Sequence, residues 1–152
     1  MALRIIAFLL LNFAALTIGG LSMGTGASSD WYLDLNKAPW TPPGWSFGAA
    51  WTLIMVCFSF YMSYTWTPVN NRRKLLILFS VQWILNTSWS PVFFRYHQSI
   101  SGLIIISLLT LLVTYLLFAN LLRLRIKSVF ILPYFLWLII ATSLNAYIVL
   151  YN

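Results

Sequence analysis

Eleven charged side chains divide this 152-residue chain into five long stretches that carry no charge at all. The stretches are residues 5–29, 38–71, 75–94, 96–122 and 128–152. A helix needs about 20 apolar residues to cross the hydrocarbon core of a bilayer, so each stretch is long enough for one crossing. The second opens with Trp40-Thr41-Pro42-Pro43-Gly44, which cannot be helix interior, so its span starts near residue 46. A membrane barrel would show alternating segments of about ten residues, and none occur. The reading is an all-α integral membrane protein, one domain over 1–152, with a bundle of five transmembrane helices. The spans are expected at 5–24, 46–65, 75–94, 100–122 and 128–150.

Composition agrees with lipid as the main solvent. Apolar residues make up 61% of the chain and charged ones 7%, against about 25% charged in a soluble domain. The net charge of +7 sits in short clusters between apolar runs, Arg72-Arg73-Lys74 and Arg123, Arg125, Lys127. That is the pattern of topology-setting loops rather than of a nucleic-acid face. With Arg4, those clusters put seven cations on one side, against Lys37 and Arg95 on the other. The N-terminus is therefore expected in the cytoplasm and the C-terminus outside. A cleaved signal peptide is the competing reading of residues 5–29, but signal cores run to only about 7–15 residues. The pairs Ala15/Gly19 and Gly20/Gly24 suit close helix packing instead.

The polar inventory excludes much chemistry. No Asp, Glu, Lys or Arg lies in the middle of a span, so proton relays, ion pumps and voltage sensing lack their usual groups. The single Cys57 permits neither a disulfide framework nor a cysteine metal site, and no metal site is expected. His97, beside Arg95 at a helix end, reads as an interfacial loop residue.

Eight tryptophans stand out. Trp45 and Trp66 bracket the second span as interfacial anchors do. Three aromatic stripes have helical spacing: Trp51, Met55, Phe58, Met62; Trp83, Asn86, Trp89, Phe93; and Pro133, Trp137, Ala141, Leu144, Ile148. They suit either a packed bundle core or the walls of a cavity for a flat apolar molecule, with Asn86 and Asn145 as its few polar contacts. Periodicity alone leaves both open. The connection from Trp31 to Gly44 carries three prolines and three bulky aromatics, an apolar load that a disordered linker would not have. It reads as an ordered first loop acting as a lid on one end of the bundle.

These segments resemble the TspO/MBR family, the tryptophan-rich sensory proteins related to the mitochondrial translocator protein, or peripheral-type benzodiazepine receptor. The first-loop pattern is carried by Trp31-Tyr32, by Leu35-Asn36-Lys37-Ala38-Pro39-Trp40-Thr41-Pro42-Pro43, and by Trp51. Asn86-Thr87-Ser88-Trp89 with Phe93-Phe94 is similar to its third-helix motif, and Pro133–Trp137 through Ala141–Asn145 to its fifth. The resemblance implies a five-helix bundle, usually a homodimer in the bilayer. It implies a cavity under the first loop for porphyrins (haem included) and other tetrapyrroles, sterols, or isoquinoline-carboxamide and benzodiazepine drugs. No cofactor is implied beyond such a ligand. Carried over by motif, the ligand-binding residues would be Tyr32, Trp51, Asn86, Trp89, Phe93, Trp137, Ala141 and Leu144.

The resemblance also implies a runner-up, since some bacterial members degrade protoporphyrin in light with tryptophans matching Trp51 and Trp137. A third reading makes the aromatic stripes a purely structural core. One departure bears on the ligand. The sterol pattern of the animal proteins ends on a basic residue, whereas Leu144 and Tyr147 here are followed by Ile148-Val149-Leu150-Tyr151-Asn152. A bacterial cell membrane is thus expected rather than an animal one.

Overall fold

A computed structural model describes residues 1–152, and the chain is helical with no strand. The elements are α1 (Ala2–Ser22), α2 (Asp30–Asp34), α3 (Gly44–Thr65), α4 (Arg72–Ser90), α5 (Ser99–Leu124) and α6 (Leu132–Tyr151). In hydrocarbon every backbone N–H and C=O must be satisfied within its own segment, which leaves helix as the form for such apolar runs. All but α2 contain 19 to 26 residues, a length of about 29–39 Å at about 1.5 Å per residue.

The ends of the helices have local causes. α1 runs from Ala2 rather than residue 5 and stops at Ser22, short of Gly24 and Gly26, whose φ angles of 68° and 55° leave the helical region. α4 starts at Arg72, earlier than the expected 75, because the Asn71 side chain caps it by accepting from the Lys74 N–H at 2.9 Å. Pro91 then removes a donor from the ladder, and Pro91–Arg95 widens to a π turn in which the Tyr96 N–H reaches Pro91 O at 3.0 Å. The last apolar helical stretch, Ser99–Tyr151, has 53 residues, about 80 Å if straight and far more than one bilayer crossing. Arg125, at φ 50°, breaks it. The chain turns through a 3-10 segment, Arg125–Ile131, and Pro133 starts α6. α6 folds back on α5, with the Thr110 and Thr142 hydroxyls 3.0 Å apart and Asn145 Nδ2 donating to Ser99 O at 2.9 Å.

Lipid offers helices no hydrophobic reason to associate, so packing and interhelical hydrogen bonds must hold the bundle. The fully buried Met55, Phe58, Tyr61 and Met62 of α3 meet Tyr134 and Leu138 of α6 and Ile106, Leu109 and Val113 of α5 in one core. Asn12 Nδ2 donates to Ser59 Oγ at 2.8 Å between α1 and α3, and Trp83 Nε1 to Leu11 O at 2.8 Å between α4 and α1. Such contacts average about 0.6 kcal/mol each in membrane bundles, so many are needed. Leu3, Leu21 and Leu122, each at least 80% exposed, face outward as lipid-contacting side chains do.

The antiparallel order sorts charge by end. Arg4, Arg72–Lys74, Arg123, Arg125 and Lys127 gather at one end, where Arg4 Nη1 donates to Thr67 Oγ1 at 3.0 Å. Both aspartates lie at the other end, in the connection between α1 and α3. Trp40 Nε1 of that connection donates to Ser143 Oγ on α6 at 3.1 Å, and Asn152 grips Asn36 through the Asn36 N–H (2.8 Å) and Asn36 O (3.2 Å).

Candidate functional site

At the aspartate-bearing end, α1, α3, α4 and the first connection border a partly open cavity of about 600 Å³, within the roughly 300–1,000 Å³ usual for small-molecule sites. Helical spacing builds each wall. From α3 come Gly44, Phe47, Gly48, Trp51 and Thr52, offsets 0, 3, 4, 7 and 8 on one face. α4 and its π turn supply Asn86, Trp89, Ser90 and Phe94. α1 supplies Ala15, Leu16, Gly19 and Gly20, and the connection covers the end with Tyr32, Lys37, Thr41 and Pro42.

The glycines make the room. A Cβ at Gly20, Gly44 or Gly48 would meet nothing within 4 Å, so at these positions the α1 and α3 walls are bare backbone. Gly19 differs: its Cβ position lies 3.6 Å from Thr87 O and Ser90 Oγ, so it serves the α1–α4 contact. The spacing of Gly44, Phe47, Gly48 and Trp51 was the available signal for this face, and only Trp51 stood out by residue type.

Tyr32 is fixed from both sides. Ser29 caps α2 by accepting the Tyr32 N–H at 3.2 Å, and the Tyr32 ring meets Phe93 and Phe94 edge-on at 6.3 and 5.2 Å. Lys37 Nζ donates to Tyr32 O and Leu33 O at 2.8 and 2.9 Å and lies 4.9 Å from the Tyr32 ring centroid. Burial raises the Tyr32 phenol above its usual pKa, so the ring is a neutral wall.

Asn86 is oriented from behind. Gln82 Nε2 donates to Tyr134 OH at 2.8 Å, and that hydroxyl donates to Asn86 Oδ1 at 3.2 Å. With its oxygen engaged, Asn86 has its amide N–H groups left for a guest. Trp89 is aimed in the same way, its Nε1 donating to Asn145 Oδ1 at 3.2 Å. Asn145 is thus occupied with α4 and α5 and gives the cavity no direct contact.

Of the eight residues named from motifs, Tyr32, Trp51, Asn86 and Trp89 come together on the cavity wall. The other four do not line it. Phe93, 2% exposed, stacks behind Trp89 at 5.4 Å and 11°. Trp137 meets Phe47 edge-on at 5.4 Å, one ring removed from the cavity, and its buried Nε1 has no partner. Ala141 and Leu144 are buried against neighbouring helices. The stripes are likewise divided by depth. Met55, Phe58 and Met62 are core while Trp51 above them is wall, and Trp83 leaves its stripe to bond α1. His97 is exposed in the α4–α5 turn and stacks on Trp31 at 4.3 Å.

Comparison with known proteins matches residues 7–151 to the model of the TspO/MBR family. Protein CrtK of Rhodobacter capsulatus is 31% identical over 138 residues, 88% of this chain and 85% of that protein. Tryptophan-rich protein TspO of Archaeoglobus fulgidus is 32% identical over 149 residues, 97% of this chain and 94% of its own. The translocator protein of Bos taurus is 28% identical over 83 residues, covering 52% of this chain and 49% of that one.

Proposed function

The chain belongs to the TspO/MBR family, and we propose that it is a membrane receptor or carrier for porphyrins and related planar apolar ligands, modulating their transport, signalling or turnover. The observation that carries this reading is the 600 Å³ cavity walled by Tyr32, Phe47, Trp51, Trp89 and Phe94. Flat aromatic faces suit a flat macrocycle, the glycine surfaces of α1 and α3 admit its breadth, and the Asn86 N–H groups meet a carboxylate or amide oxygen at its rim. The first connection, tied to α4 through Tyr32 and to α6 through Trp40 and Asn36, acts as the lid.

In this reading the lidded end faces away from the cytoplasm, because the seven-cation end is the one retained inside. The C-terminus is then outside, and the working unit is a homodimer, as the family resemblance implies. Light-driven porphyrin degradation is the second reading, favoured by Trp51 standing on the wall itself, where an excited macrocycle could exchange an electron with it.

Quenching of tryptophan fluorescence by protoporphyrin in detergent, first dark and then illuminated, tests both. Saturable dark quenching is expected. Loss of porphyrin absorbance only in light, and only with protein present, would move the protein to the second reading. No saturable quenching would leave the aromatic cluster a structural core.

A further inference from the structure

At the opposite, basic end, α4 and α5 flank an open pocket of about 270 Å³, lined by Lys74, Arg123, Asn120 and Tyr115 with Leu75, Leu78 and Leu116. Its electrostatics are one-sided. Seven cations gather at this end, and the only two side-chain carboxylates of the chain, Asp30 and Asp34, lie at the other. Lys74 is held in place: Nζ donates to Tyr115 OH at 2.7 Å and lies 5.2 Å from the ring centroid, leaving two ammonium N–H groups to offer. Arg123 stands eight residues, a little over two turns, beyond Tyr115 on α5, and it lines the same pocket.

Deeper in, Asn120 is buried, at 8% exposure. Its amide nitrogen donates to Leu116 O at 3.0 Å and Tyr61 OH at 3.3 Å, which leaves the carbonyl oxygen, accessible at the pocket surface, as an open acceptor. That open acceptor matches a donor, so a guest carrying a hydroxyl or ammonium beside its negative charge suits the pocket better than a bare anion.

We propose that this pocket is a binding site for a phosphate group. Lys74 and Arg123 take the phosphate oxygens, Asn120 accepts from a neighbouring hydroxyl, and the leucines hold an apolar tail. An anionic phospholipid such as phosphatidylglycerol has all three features, and free inorganic phosphate has the first alone. Basic recesses between transmembrane helices are suited to such headgroups. The site is independent of the porphyrin cavity.

The competing explanation is general attraction of anionic lipid to a basic end. Native mass spectrometry of the detergent-solubilised protein, titrated with phosphatidylglycerol or phosphatidylcholine, separates the two. The wild type should bind one phosphatidylglycerol in preference to phosphatidylcholine. Lys74→Gln/Arg123→Gln should weaken that binding about tenfold, the scale of a lost charge-assisted contact. Arg73→Gln/Lys127→Gln removes the same charge outside the pocket and should change it less than about twofold. Millimolar inorganic phosphate that displaces the lipid assigns the site to the free anion, and lipid that stays bound assigns it to the headgroup; the phosphate site stands in both. Equal losses in the two double variants, or equal binding of the two lipids, would overturn it. Melting temperatures without added lipid verify that each variant is folded, and Arg123→Gln alone, at an exposed position, serves if the double variant is not.

Discussion

Adding the same side chain at Gly48 and at Ala141 should have opposite consequences, because one faces the cavity and the other faces protein. A Cβ at Gly48 meets nothing within 4 Å, and the residue lies on the α3 wall. The leucine at Gly48→Leu therefore starts from open space, and replacing a helical glycine should stabilise α3 by roughly 0.5–1 kcal/mol. The leucine occupies space that a ligand would use. If it displaces about 50 Å² of contact at about 25 cal/mol/Å², the loss is roughly 1.3 kcal/mol, or about tenfold in Kd.

Ala141 is 6% exposed and part of the core. Ala141→Leu must force its three extra carbons among packed helices, at about 1–3 kcal/mol of stability. Its effect on ligand should be small in the fraction that stays folded. The assay is a dark titration with protoporphyrin beside a thermal melt in the same detergent. If Ala141→Leu abolished binding at an unchanged melting temperature while Gly48→Leu bound normally, the ligand would sit against α6 and the cavity assignment would be wrong.

Other substitutions probe the groups behind the wall. Tyr134→Phe removes the hydroxyl between Gln82 and Asn86, leaving a buried amide unpaired, and should cost about 1–3 kcal/mol in a thermal melt; an unchanged melt would mean the relay contributes nothing. Asn145→Leu frees the Trp89 indole and the Ser99 carbonyl at once, and should both lower stability by about 1–3 kcal/mol and blunt quenching of Trp89 by bound porphyrin. Trp51→Phe should weaken dark binding by about 1 kcal/mol or less, since a flat face is kept, whereas Trp137→Phe should leave affinity unchanged because Phe47 stands between it and the cavity. Under illumination, equal porphyrin loss from the wild type and the double Phe variant excludes a redox role for both. A topology reporter fused after Asn152 should report the outside and one inserted within Arg72–Lys74 the cytoplasm; the reverse pattern would invert the proposed orientation.

The helical form of the long apolar runs and the gathering of positive charge at one end could both be read from the sequence. Each follows from a one-dimensional rule: backbone groups in hydrocarbon must bond within their own segment, and a stretch is long enough to span or it is not. The motifs likewise named four residues of the candidate wall, Tyr32, Trp51, Asn86 and Trp89. The π turn at Pro91–Arg95, which carries Phe93 and Phe94, begins inside the run expected as one span at 75–94.

What the sequence left open was direction and depth. Trp137, Ala141 and Leu144 share a helical stripe with convincing spacing, yet α6 turns that stripe toward protein, and Phe47 intervenes. The cavity owes its breadth to Gly20, Gly44 and Gly48, which present nothing for a residue-type argument to notice. Neither the Asn145 bond that aims Trp89 nor the Lys74–Tyr115 contact at the far end joins residues close in sequence. One residue along a helix is a rotation of about 100°, so the face that meets a ligand depends on how neighbouring helices pack against it. Spacing fixes which side chains share a face, but only contacts with the other helices fix where that face points.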